Sequence, residues 1–141
     1  MARAQNKQSV SFRFDPITVK RLKRHAAESA AGQTALAERY IEEGIRCDEH
    51  PLIHFREGAA GRRPALLGSR LDVADAITTI RQNKGSIEEA ASYLEIPVEQ
   101  LEAAARYYGE YTEEIDEAIE RSRLVAERER ERRQRGREAL A

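Results

Sequence analysis

Residues 9–46 read SVSFRFDPITVKRLKRHAAESAAGQTALAERYIEEGIR, and the first six of them decide how the rest is interpreted. Val10, Phe12 and Phe14 alternate with Ser9, Ser11 and Arg13. Side chains on a strand point to opposite faces in turn, so the pattern predicts a short strand with one apolar and one polar row. Asp15-Pro16 follows as a helix start. The Asp carboxylate can accept orphan backbone N–H groups, and Pro at the first helical position sacrifices no hydrogen bond. A lone strand of this length needs a partner. An intertwined homodimer, each chain giving one strand to a two-stranded ribbon, meets that need.

Two helices are expected next. Val19, Leu22, Ala26 and Ala30 recur at helical spacing, with Lys20, Arg21, Lys23 and Arg24 between them. Gly32 interrupts and Thr34 can cap a second helix, whose buried side is expected to carry Leu36, Ala37, Tyr40, Ile41 and Ile45, with Glu38, Glu42 and Glu43 outward. A two-stranded ribbon fits the major groove of B-DNA, so the outward Ser9, Ser11 and Arg13 are candidates for base contacts. Arg13 leads them, because a guanidinium can read guanine in bidentate fashion. A helix N-terminus exposes unpaired N–H groups, which makes Thr34 a candidate for a phosphate contact. Lys7 and Arg3 lie in the polar lead before the strand, and Lys7 joins the phosphate candidates.

Charge is unevenly spread although the net charge of the 141 residues is only -1. Residues 1–25 carry seven basic groups against Asp15, and residues 51–120 carry seven against fourteen acidic ones. The basic front is the part suited to phosphate. Aromatic residues are only 6% and Trp is absent, so the core must be built largely from Ala, Leu and Ile. Thin cores of this kind often gain stability by oligomerising. Cys47 is the only cysteine, which rules out an internal disulfide and suits a reducing compartment. The start lacks a long apolar run, so neither a signal peptide nor a membrane span is indicated and a cytosolic location is expected.

The stretch from Ser9 to Arg46 resembles the ribbon-helix-helix (CopG/Arc-like) repressors, a fold shared by many bacterial antitoxins. That resemblance implies base contacts by Ser9, Ser11 and Arg13, and it puts the phosphate anchor of the second helix at Gln33 and Thr34.

Cys47 to Glu49 read as a linker, and His50-Pro51 opens a second unit. Leu52, Ile53 and Phe55 form one apolar patch and Pro64 to Leu67 another, with REGAAGRRP between them as a turn. Two brief strands are expected there. His50 and His54 are four apart, but no further ligand sits at metal-binding spacing, so no metal is expected. Asp72 caps a helix burying Val73, Ala76, Ile77 and Ile80. Ser86 with Glu89 forms a capping box for a short helix burying Ile87, Ala90, Ala91 and Leu94. After Pro97, a further helix is expected to bury Leu101, Ala105 and Tyr108.

These short helices match a helix-turn-helix, but Glu99 and Glu102 on the candidate recognition helix would repel phosphates. A protein–protein role fits that half better. His50 to Ile119 resembles the small bacterial domain of unknown function 433, on His50-Pro51, Gly61 to Pro64, Gly68-Ser69-Arg70 and the Tyr-containing stretch Leu101 to Tyr111. Genes for that domain are commonly paired with a PIN-like ribonuclease toxin, which implies an antitoxin.

From Val98 helical character continues, interrupted by Gly109, to Gly136, and residues 121–141 carry eight Arg against four Glu. The segment is either a solvated charged helix or an arm that folds on a partner. Under the resemblance, Tyr111, Ile115, Ile119, Leu124 and the tail arginines would contact a toxin, with Arg128, Arg130, Arg132 or Arg133 pairing with metal-binding carboxylates of its active site. No nucleophile–base pair or cofactor loop is present, so neither catalysis nor a cofactor is expected.

The sequence therefore leads to a mainly α chain. A ribbon-helix-helix unit at 9–46 and a linker at 47–49 precede a helix-turn-helix-like unit with a short hairpin at 50–120 and a charged helical arm at 121–141. The function it implies is a VapB-like type II antitoxin that binds a cognate toxin and represses its own operon as a dimer on operator DNA. The alternatives are a stand-alone repressor whose second domain only oligomerises, and an adaptor with no operator of its own.

Overall fold

The computed structural model describes residues 6–58 and 61–141. Arg3 of the basic lead and Ala59-Ala60 of the glycine- and arginine-rich segment lie outside the described residues. In chain order the elements are α1 (Pro16–Glu28), α2 (Gln33–Glu49), β1 (Ile53–Gly58), β2 (Gly61–Leu66), α3 (Val73–Gln82), α4 (Ile87–Leu94), α5 (Val98–Glu110) and α6 (Thr112–Ala139). The chain divides into two compact units, the first ending at Glu42 and the second running from Glu43 to Ala141.

The expected N-terminal strand is absent. Residues 6–15 form neither strand nor helix, and the only sheet among the described residues is the β1–β2 hairpin, which follows two helices instead of preceding them. The physical reason is that a strand exists by pairing its N–H and C=O groups with a neighbour. No described segment of the chain forms a backbone bridge with residues 9–14. The ribbon-helix-helix order, with its intertwined two-stranded ribbon, is therefore overturned.

In the first unit, α1 starts at Pro16 as expected, but the Asp15 carboxylate makes no capping hydrogen bond. Its apolar residues gain little cover: α1 buries no residue, and Leu36 is the only buried side chain of α2. Tyr40 and Ile41 of this unit, and Ile45 farther along α2 in the second unit, all expected on a buried side, are exposed. Helical periodicity sorts side chains onto one face but does not supply anything to cover it.

Residues 47–49, read as a linker, continue α2 to its end. The hairpin follows, with Ile53 opposite Leu66, Phe55 opposite Pro64 and Gly58 opposite Gly61. Its strands take in most of REGAAGRRP, which the turn residues alone had suggested was a loop. Pro64 is tolerated because both strands of a two-stranded sheet are edges and its missing N–H breaks no interior ladder.

The core of the second unit joins the hairpin to four helices. Ile53 and Leu66 pack with Val73, Ala76 and Ile77 of α3, Ala90 and Ala91 of α4, Leu101, Ala104 and Tyr107 of α5, and Ile115 of α6. On α5 the buried row is Leu101, Ala104 and Tyr107, not Leu101, Ala105 and Tyr108. Steps of three and four are both compatible with 3.6 residues per turn, and packing against α3 and α6 selects between them. Ser86 caps α4 by accepting the Glu89 N–H at 3.1 Å.

Asp72 fastens the hairpin to the start of α3. Arg56 donates to its Oδ1 at 2.5 Å, and Arg63 reaches its Oδ2 at 3.1 Å. Arg56 also donates to the Arg70 carbonyl at 2.5 Å.

The long C-terminal helix is not continuous with α5. The chain breaks at Tyr111, whose φ of -123° and ψ of 42° are not helical, and α6 then runs through Gly136 to Ala139. Every residue from Arg121 onward is exposed. No helix among the described residues is long and apolar enough to cross a membrane.

Candidate functional site

Two places in the described residues hold functional groups in an unusual state. The first is the apolar surface of the first unit. Phe12 is 62% exposed, Ile17 73% and Ile41 46%, and Val10, Phe14 and Tyr40 are exposed with them. Phe12 and Phe14 stack at 5.8 Å between ring centroids. A cavity of about 360 Å³ opens between α1 and the first half of α2, lined by Phe14, Leu22, Ala37, Tyr40 and Ile41, with Arg21 and His25 among its polar residues. A folded monomer ordinarily covers such side chains, and contiguous exposure marks an interaction surface.

The second place is a polar and aromatic cluster in the second unit. His50 is 4% exposed, and its Nε2 lies 3.1 Å from Glu110 Oε2. The Tyr107 ring meets the imidazole edge-on at 5.1 Å, and Tyr107 packs on Tyr111 at 4.6 Å. Arg46 donates to the Tyr107 hydroxyl and to Glu114, each at 2.7 Å, and its guanidinium sits 3.9 Å from the Tyr111 ring centroid. Burial, reinforced by the charge of Glu114, pushes the Tyr107 hydroxyl well above the usual tyrosine range. This phenol stays protonated and serves to accept the Arg46 N–H.

The residues singled out from the sequence are scattered. Ser9, Ser11 and Arg13 are exposed on a segment without secondary structure, so no ribbon presents them as a row. Lys7 pairs with Glu38 at 3.3 Å. Gln33 and Thr34 form the exposed first turn of α2. On α6, Ile115 is a core residue at 1% exposure, which removes it from any partner-binding face, and Ile119 is packed against the core. Tyr111 belongs to the Arg46 cluster, and Leu124 is exposed. Arg128, Arg130 and Arg133 are exposed, and Arg132 pairs with Glu129 one turn earlier at 3.1 Å.

His50 and His54, four apart in sequence, have different surroundings. His54 sits on β1 opposite Ala65, and its buried Nδ1 has no hydrogen-bond partner. His50 instead meets Glu110, sixty residues away. Tyr107 and Glu110 had no signal in the sequence beyond a place on a helix.

No family model matches the chain, and neither a curated protein nor a solved structure does. The resemblances to ribbon-helix-helix repressors and to the domain of unknown function 433 are not upheld. With the N-terminal strand missing, the antitoxin and operator-repressor readings lose the element on which they rested.

Proposed function

We propose that this protein is a non-catalytic interaction protein whose first unit joins two copies of the chain, so that paired second units are presented to other molecules. One observation carries the reading: α1 buries nothing and the α2 part of the first unit buries only Leu36, while six large apolar side chains of that unit stand in solvent. Two short helices with a single buried side chain do not offset the conformational entropy of ordering them. The unit becomes stable when its apolar face is covered.

Charge favours a second copy as the cover. Lys20, Arg21, Lys23 and Arg24 lie on α1, whereas Glu38 and Glu42 lie on the following helix. In a two-fold pair, the basic helix of one copy faces the acidic helix of the other, and both contacts form at once. Full burial of one such side chain is worth about 1.5–3 kcal/mol, and with 43–73% of each of the six still exposed, covering them adds roughly half of that per residue towards a dimer.

Sedimentation equilibrium of the full chain tests this. The expected mass is that of two 16.0 kDa chains at micromolar concentration. Replacing Ile17 and Ile41 with Glu places charge on the shared face and is expected to return a monomer whose second unit still melts cooperatively. A wild-type chain that sediments as a monomer at about 100 times that concentration would overturn the proposal.

A further inference from the structure

The geometry points to a divalent transition-metal site formed by Glu49, His50 and Glu110 in the second unit. One imidazole nitrogen and two carboxylate oxygens from these residues lie within 4.8 Å of one another. Glu49 ends α2, His50 follows it, and Glu110 ends α5, so the donors converge from two helix termini.

The donor set is mixed, and that decides the class of ion. Carboxylates alone would suit calcium or magnesium, which take oxygen ligands. An imidazole with two carboxylates suits zinc and its neighbours, and three protein ligands leave a fourth position for water. The His50 side chain is 3% exposed and is held between its contact with Glu110 and the rings of Tyr107 and Tyr111, so the nitrogen is already fixed in place. Glu49 and Glu110 are exposed, which gives an ion a route in and lets both carboxylates adjust.

The distances agree with this assignment. Two ligands, each about 2.1 Å from a tetrahedral ion, stand about 3.4 Å apart. His50 Nε2 and Glu110 Oε2 are 3.1 Å apart, so they need only a small separation to share an ion. The Glu49 carboxylate must move inward by roughly 1–2 Å, which is within the reach of one rotamer change on an exposed side chain.

Titration of the full chain with cobalt(II), followed by visible absorption, and with zinc, followed by calorimetry, tests the site. The expected result is one ion per chain, with cobalt bands typical of tetrahedral coordination and a zinc-dependent rise in the melting temperature. Glu49→Gln and Glu110→Gln are expected to weaken binding at least tenfold each without altering the far-ultraviolet spectrum, because both side chains are at the surface. Cys47→Ser is expected to bind as the wild type does. Absence of cobalt bands at millimolar metal would overturn the site. So would binding that survives both Gln variants or disappears with Cys47→Ser.

Discussion

Arg46 donates a guanidinium N–H to the Tyr107 hydroxyl at 2.7 Å across sixty-one residues of sequence. The next tyrosine repeats the arrangement. Arg81 reaches the Tyr108 hydroxyl at 2.5 Å and Asp116 at 2.9 Å, and Tyr108 donates to Asp116 at 2.8 Å. Two arginines from earlier helices thus each bridge one of two adjacent tyrosines on α5 to a carboxylate near the start of α6. The break at Tyr111 is held by these bonds from both sides.

Removing the Tyr107 hydroxyl measures one of these ties. Tyr107→Phe keeps the buried ring and is expected to lower stability by about 1–2 kcal/mol, since Arg46 retains Glu114. Tyr107→Ala also empties the core and is expected to cost about 3–5 kcal/mol. Urea denaturation followed by circular dichroism checks both.

Alkaline titration should single out the same residue. With its hydroxyl raised above the ordinary 10 by burial and by Glu114, Tyr107 favours the folded state fully below pH 10. That contribution is lost as pH rises from there towards the folded value. Tyrosinate absorbance of the five tyrosines is expected to show a delayed step that coincides with unfolding, and Tyr107→Phe removes that step.

The acid side is governed in part by Asp116. Hydrogen bonds from Arg81 and then Tyr108 hold its carboxyl below the ordinary 3.8. A lowered folded value means that its contribution is complete above 3.8 and is lost as pH falls through the folded value. Asp116→Asn is expected to flatten the stability profile below about pH 4, read from urea midpoints across the acid range.

Asp72 offers a test of the hairpin's attachment. Asp72→Ala leaves Arg56 and Arg63 without their shared carboxylate at the start of α3. The pairs are partly solvated, so the expected loss is about 1–3 kcal/mol, less than for a fully buried pair. Hydrogen exchange is expected to quicken in β1 and β2 ahead of α5.

The exposed part of α6 should behave as a helix held by its own charges. Arg123 pairs with Glu120 at 2.8 Å and with Glu127 at 3.2 Å, and Arg135 reaches Glu131 at 3.8 Å. Each such pair contributes only about 0.2–0.5 kcal/mol and is screened by salt. Raising salt is expected to lower total helicity while leaving the melting temperature of the second unit nearly unchanged. Truncation after Ala126 is expected to have the same two effects.

Local chemistry was legible in the sequence. Pro16 begins α1, and Ser86 caps α4, where the hydroxyl acceptor and the Glu89 N–H donor lie three residues apart. The charged character of residues 121–141 was equally plain, and so was the apolar row of α3 at Val73, Ala76 and Ile77. Tertiary structure decided whatever depended on a distant partner. The alternation from Ser9 to Phe14 is the pattern of a strand, but pattern does not provide the neighbour that a strand must bond to. On α5 the helical period allowed Tyr107 or Tyr108 to face inward, and the position of α3 and α6 chose Tyr107. Nothing near His50 in sequence indicates its partner, which the fold supplies as Glu110 at 3.1 Å. A sequence determines contacts whose ends are within a turn or two of each other; the rest are fixed only when the whole core closes and one packing excludes the others.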